Sequence, residues 1–226
     1  MWSNKEMWFK NKWVELLEKN FTVIALDLRG HGESSKSYDP DFYSIDNILN
    51  DVESIVNQCD FTEYNLFGHS YGAAIGLQMC KKSNHVKKAI CAAATFGDYF
   101  YKYSIPQTIK EYKTFIESKK NNTLLDLDYP KDYLNWINTL DLDMSLALFK
   151  GSSKWTGVNI SDIKPELALY SGTNDVPDIV NNMKTNKDEI LKHNIKYKMF
   201  DNLTHNDLVD RADLISPWVL DFLLNK

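Results

Sequence analysis

Short apolar runs alternate with longer amphipathic stretches along most of this chain. Val23-Ile24-Ala25-Leu26 and Ala89-Ile90-Cys91-Ala92-Ala93-Ala94 are uninterrupted apolar runs, the pattern of a strand covered on both faces. With weaker runs of the same kind, the pattern predicts strands near 21–27, 63–68, 86–94, 166–171 and 195–200. Helical spacing predicts helices near 5–19, 44–58, 71–83, 178–192 and 207–225, the first burying Trp8, Val14, Leu16 and Leu17. Regular alternation of strand and helix implies βαβ units, hence an α/β fold with a mainly parallel sheet and helices on both faces.

One stretch breaks the alternation. Between the strand ending near Thr95 and the one starting near Pro165 lie many aromatic residues, among them Tyr99, Tyr101, Tyr112, Phe115, Trp136 and Trp155. A plain loop of that length is uncommon in a compact domain, so the stretch is expected to carry helices of its own. Most of these rings are expected to pack the insertion onto the core, and a few to line a pocket.

With 226 residues the chain suits one domain, or a core with a modest insertion. The formal net charge of -5 and the lack of a Lys/Arg cluster speak against a nucleic-acid or anionic-membrane partner. Lys81-Lys82 and Lys87-Lys88 are expected to be a solvated rim. Cys59, Cys80 and Cys91 form no C-x-x-C pair and leave one thiol over in any disulfide scheme, which points to a reducing compartment. Neither a secretory leader nor a membrane span is legible in the sequence, so the expected location is cytoplasmic.

The candidate chemistry starts at Gly68-His69-Ser70-Tyr71-Gly72, a G-x-S-x-G pentapeptide between the apolar run at 64–67 and the helical stretch from Ala73 to Lys82. Turning from strand to helix within a few residues strains the central residue and calls for glycine on both sides, leaving the serine hydroxyl exposed. The amides at the start of the following helix point at charge developing beside Ser70. Asp175 and His205 follow, each just past an expected strand, so all three would gather at the carboxyl ends of strands. Serine needs a base to take its proton, and the base needs a carboxylate to fix its tautomer. His205 is the candidate base and Asp175 the candidate carboxylate, with Asp98, after the preceding strand, as the rival acid. Asp178 is expected to cap a helix, and His85 and His193 to be solvated. Scattered histidines without ligand spacing and the lack of a phosphate-binding glycine loop imply neither metal nor cofactor.

Together with Asp27-Leu28-Arg29-Gly30-His31-Gly32-Glu33-Ser34, the elbow, the Gly172-Thr173-Asn174-Asp175 stretch and the late His205 make the chain resemble the α/β-hydrolase family. The resemblance runs from about Trp8 to the C-terminus. It implies a core at residues 1–97 and 161–226, and a helical cap at 98–160 that roofs the active site. It also implies a serine hydrolase acting on an ester, thioester, amide or related acyl bond of a small molecule. Ser70 would be the nucleophile, His205 the base, Asp175 the orienting acid, and the Tyr71 amide an oxyanion donor. Family members that act as haloalkane dehalogenases or epoxide hydrolases carry aspartate where this chain has Ser70.

In the resembling fold a strand precedes the first helix, lies between those at 21–27 and 63–68, and leads into a His-Gly loop that gives a second oxyanion donor. No such strand is expected from this sequence. Either the flanking strands close up and pair directly, or another chain inserts there, or the polypeptide is a truncated product expected to fold poorly. The alternative function is therefore a hydrolase-fold remnant that binds a ligand or partner without catalysis.

Overall fold

A computed structural model describes residues 3–225. Four parallel strands, β1 (Tyr64–His69), β2 (Val86–Ala92), β3 (Glu166–Asn174) and β4 (Lys196–Thr204), form one sheet in the order β1-β2-β3-β4. Between and around them run α1 (Glu6–Lys10), α2 (Trp13–Leu17), α3 (Ile45–Gln58) and α4 (Tyr71–Lys82). Between β2 and β3 come α5 (Ile105–Lys120), α6 (Lys131–Thr139) and α7 (Leu142–Ser152). The chain closes with α8 (Pro177–Thr185), α9 (Lys187–Lys192), α10 (Asp207–Asp210) and α11 (Ala212–Leu224).

Alternation along β2 divides the core in two. Ala89 and Cys91 face a large cluster with Val52 of α3 and Leu77 and Cys80 of α4. Ile90 and Ala92 face a second cluster with Trp13 of α2 and Val219 and Phe222 of α11. Helix layers thus cover both faces, which is why β2 reads as an unbroken apolar run.

Several expected elements are divided. The helix expected over 5–19 is two short helices, broken where Lys12 adopts φ 64°, a conformation no helix interior accommodates. The expected helices at 178–192 and 207–225 are each split, near Asn186 and Arg211. Asp178 does not cap its helix: Val176 holds that position, and the Asp178 carboxylate accepts a hydrogen bond from Ser104 Oγ at 2.9 Å.

The larger correction concerns residues 21–27. Among the described residues this apolar run joins no ladder. It forms one wall of a cavity of about 570 Å³ whose opposite wall is β1. Its chain direction is instead set by anchors at its far end. Asp27 accepts from the Lys5 amide at 2.6 Å, the Lys5 ammonium at 3.2 Å and the Glu33 amide at 3.1 Å. Arg29 forms a two-pronged pair with Asp51 at 2.7 Å and lies over the Phe42 ring at 4.4 Å.

The stretch at 98–160 carries helices of its own, and its aromatic residues pack among themselves and on the core. Tyr112 meets Phe115 and Phe149 with centroids 5.7 and 4.9 Å apart, and Trp155 stacks on Tyr71 at 5.5 Å. Asp98 ties the ends of this stretch together, accepting from the Gly157 amide at 2.6 Å and pairing with Lys102 at 2.8 Å.

Candidate active site

Ser70 is the single residue between β1 and α4, and it has φ 56° and ψ -114°, outside the regions an L-residue adopts without strain. The turn is tight because β1 and the first turn of α4 nearly touch: a Cβ on Gly68 would lie 2.3 Å from the Gly72 carbonyl oxygen. The expected collision at the other glycine is not there. A Cβ on Gly72 would meet nothing within 4 Å, since that side opens on the cavity.

Three residues far apart in sequence meet above this turn. His205 Nδ1 donates to Asp175 Oδ1 at 2.6 Å, and its Nε2 lies 2.9 Å from Ser70 Oγ. A carboxylate only accepts, so Nδ1 carries the proton and Nε2 presents its lone pair to the serine hydroxyl. The His205 side chain is 27% exposed and that of Asp175 is 0% exposed, so the serine end faces outward and the acid end is sealed. Burial works to raise the Asp175 pKa, but hydrogen bonds from His205, Ser171 and the Val176 amide outweigh it and hold the carboxyl below its usual range.

Two further residues support the relay, of which Ser171 was not legible in sequence. Ser171 Oγ donates to Asp175 Oδ2 at 2.6 Å, so both carboxylate oxygens are engaged. Its signal was its place four residues before the acid on the same strand end. His69 donates from Nε2 to the His205 carbonyl at 3.0 Å, its ring 4.7 Å from that of His205. Burial, reinforced by the nearby His205, pushes the His69 pKa down to about 3. It is thus a neutral strut under the base.

The Tyr71 amide opens α4, where first-turn N–H groups have no acceptor within the helix. The Tyr71 ring is buried, stacked between His31 at 5.6 Å and Trp155 at 5.5 Å. The rival acid Asp98 makes its contacts with Gly157 and Lys102 and is not brought to His205. His85 and His193 each bond a nearby carbonyl, of Thr62 at 2.8 Å and Glu189 at 3.0 Å. None of the residues lining the cavity between residues 21–28 and β1 comes from 98–160. Among the described residues no group of three His, Cys, Asp or Glu side chains could hold a metal ion, and no helix is long and apolar enough to cross a membrane.

Comparison with known proteins places the fold. The model of the alpha/beta hydrolase fold family matches residues 2–201. The AB hydrolase superfamily protein YisY of Bacillus subtilis is 22% identical over 224 residues, 94% of this chain and 81% of that protein. Epoxide hydrolase 4 of Mus musculus is 32% identical over 73 residues, 31% of this chain and 20% of its own length. Against the first curated relatives it matches, the chain thus spans well under two thirds of their length. Among solved structures, the enol-lactonase from Burkholderia xenovorans LB400 superposes with a TM-score of 0.73 at 20% identity, covering 99% of this chain and 88% of that one.

Proposed function

The chain belongs to the alpha/beta hydrolase fold family, and from that premise we propose that it is a serine hydrolase of small acyl compounds. Its substrate bond is an ester, thioester, amide or related acyl linkage. The observation that supports this reading is the unbroken relay from Ser70 Oγ through His205 to Asp175. A serine rather than a carboxylate at the elbow favours acyl transfer over the epoxide opening named for some relatives.

In the proposed cycle Ser70 Oγ attacks the acyl carbon while its proton passes to His205 Nε2. Asp175 offsets the imidazolium charge without taking the proton. The Tyr71 amide, at the positive end of the α4 dipole, donates to the oxyanion. His205 then protonates the leaving group, and a water activated by the same base releases the acid and restores Ser70. Residues 98–160 are the cap of this enzyme and residues 1–97 and 161–226 its core. The unbridged Cys59, Cys80 and Cys91 support a reducing compartment, the cytoplasm.

A second reading, a remnant that binds without turnover, is favoured by the cavity that opens beside Ser70. Turnover of p-nitrophenyl acetate separates the two. Asp175→Asn should lower kcat about a thousandfold or more through loss of the correct imidazole tautomer, and Asp98→Asn less than threefold. Equal or reversed effects would remove Asp175 from the mechanism. Absence of serine-dependent turnover in the unaltered protein would leave the remnant.

A further inference from the structure

His205 sits on a short segment whose anchors come from distant parts of the chain. Locally the turn is closed by Asp207, whose Oδ2 accepts from the Thr204 amide at 2.7 Å and from Thr204 Oγ1 at 2.5 Å. These bonds join near neighbours, so they shape the turn without tying it to the sheet. α10 follows at once and is a single turn, too short to use the carbonyls it presents. Leu208 O accepts from the Tyr170 hydroxyl at 3.1 Å and Val209 O from Trp13 Nε1 at 2.8 Å. His205 O accepts from His69 Nε2 at 3.0 Å. Carbonyls on both sides of the base are thus held by side chains of β1, β3 and α2.

Tyr170 and Trp13 are fully buried, and each carries a polar atom that its packing does not need. A buried hydroxyl or indole N–H is costly without a partner, and phenylalanine would fill the place of Tyr170 at no such cost. Burial holds the Tyr170 pKa well above the ordinary phenol value, so the hydroxyl stays a donor. Leu208 and Val209 are buried too, but apolar contact has no direction, whereas a hydrogen bond fixes distance and angle. Neighbouring residues of β3 point to opposite faces. There Ser171 engages the acid and Tyr170 the segment that carries the base, so one strand end sets both partners of the relay.

We propose that Tyr170 and Trp13 are positioning residues, which fix the height of His205 over Ser70 by holding the Leu208 and Val209 carbonyls. What they set, on the serine hydrolase reading above, is the 2.9 Å contact from His205 Nε2 to Ser70 Oγ. A misplacement of about 1 Å between reacting groups costs on the order of a hundredfold in rate. Both residues act through the main chain of the base segment. Removing the Tyr170 hydroxyl should therefore lower kcat and leave KM in place.

The test pairs turnover of p-nitrophenyl acetate with proton NMR of histidine-labelled protein, where the His205 Nδ1 proton shared with Asp175 gives a low-field resonance. Tyr170→Phe and Trp13→Phe each remove one donor. Ile215→Val, in the same buried cluster, loosens packing without touching those carbonyls. Tyr170→Phe is expected to lower kcat about tenfold or more with KM within about twofold. Trp13→Phe should likewise lower kcat, and in both variants the Nδ1 resonance should broaden by exchange with water. Ile215→Val should leave kcat and the resonance unchanged. Full kcat or an unaltered resonance in Tyr170→Phe would overturn the proposal. So would an equal loss of kcat in Ile215→Val, a sign of general softening, or absence of the resonance from the unaltered protein. If the unaltered protein shows the resonance but no turnover, only the serine hydrolase reading fails, and broadening in the variants still decides whether the two donors fix His205.

Discussion

At Asp175 burial and hydrogen bonding pull in opposite directions, and the bonds win. Because its folded pKa is depressed, the stability it contributes is present above the ordinary carboxylate pKa and is lost as pH falls through the folded value. Ser171 is one of the donors responsible. Ser171→Ala leaves one oxygen of a buried carboxylate without its partner and is expected to cost about 1.5 to 3 kcal/mol of stability. Urea denaturation at pH 7 measures this, and a loss below 0.5 kcal/mol would show that the contact is not needed. His69 has linkage of the same sign in a higher pH window. Its ordinary pKa is 6.5 and the fold holds it near 3, so between these values the unfolded chain takes up a proton that the folded protein refuses. Stability should fall on acidification across this window, by up to about 1.4 kcal/mol per pH unit from this group. Between pH 6 and 4.5 His69→Gln should flatten the slope of stability against pH by about that amount. An unchanged slope would mean that His69 is not held neutral.

At the scale of elements, the β1–α4 turn makes two glycines that look equivalent in sequence physically different. Gly68→Ala drives a methyl into the Gly72 carbonyl and should destabilise the protein by more than about 2 kcal/mol. Gly72→Ala meets open space in a helix and should leave Tm unchanged or higher, by the better helix propensity of alanine. Differential scanning calorimetry of the two variants distinguishes them; equal losses would contradict the asymmetry. Trp155 likewise belongs to packing. It is buried at 5% exposure, stacks on Tyr71 and donates from Nε1 to the Tyr43 carbonyl at 3.2 Å. Trp155→Ala should therefore cost about 3 to 5 kcal/mol, rather than act mainly on acyl-chain preference as an exposed roof residue would. A Tm shift under 2 °C would return it to the pocket.

At the scale of the molecule, β2 and β3 were legible as apolar runs closed by a turn, β1 and β4 as weaker, mixed runs, and the elbow because strand, glycine, serine and helix follow in a fixed order. The order Ser70, Asp175, His205 was legible for the same reason: each ends a strand of one parallel sheet. Residues 21–27 were misread because their composition suits a central strand, while pairing depends on a neighbour that composition does not report. Helix breaks at Lys12, Asn186 and Arg211 were missed because ordinary polar residues adopt them without Gly or Pro as a marker. Ser171 was missed because its place four residues before Asp175 becomes a signal only once the acid is known. What remains central is whether the Ser70–His205–Asp175 relay activates a nucleophile. The direct measurement is reaction of the folded protein with a fluorophosphonate, followed by mass spectrometric mapping of the adduct. The account predicts one adduct, on Ser70, abolished by Ser70→Ala and slowed at least a hundredfold by His205→Ala. An adduct elsewhere, or none on folded protein, would contradict it.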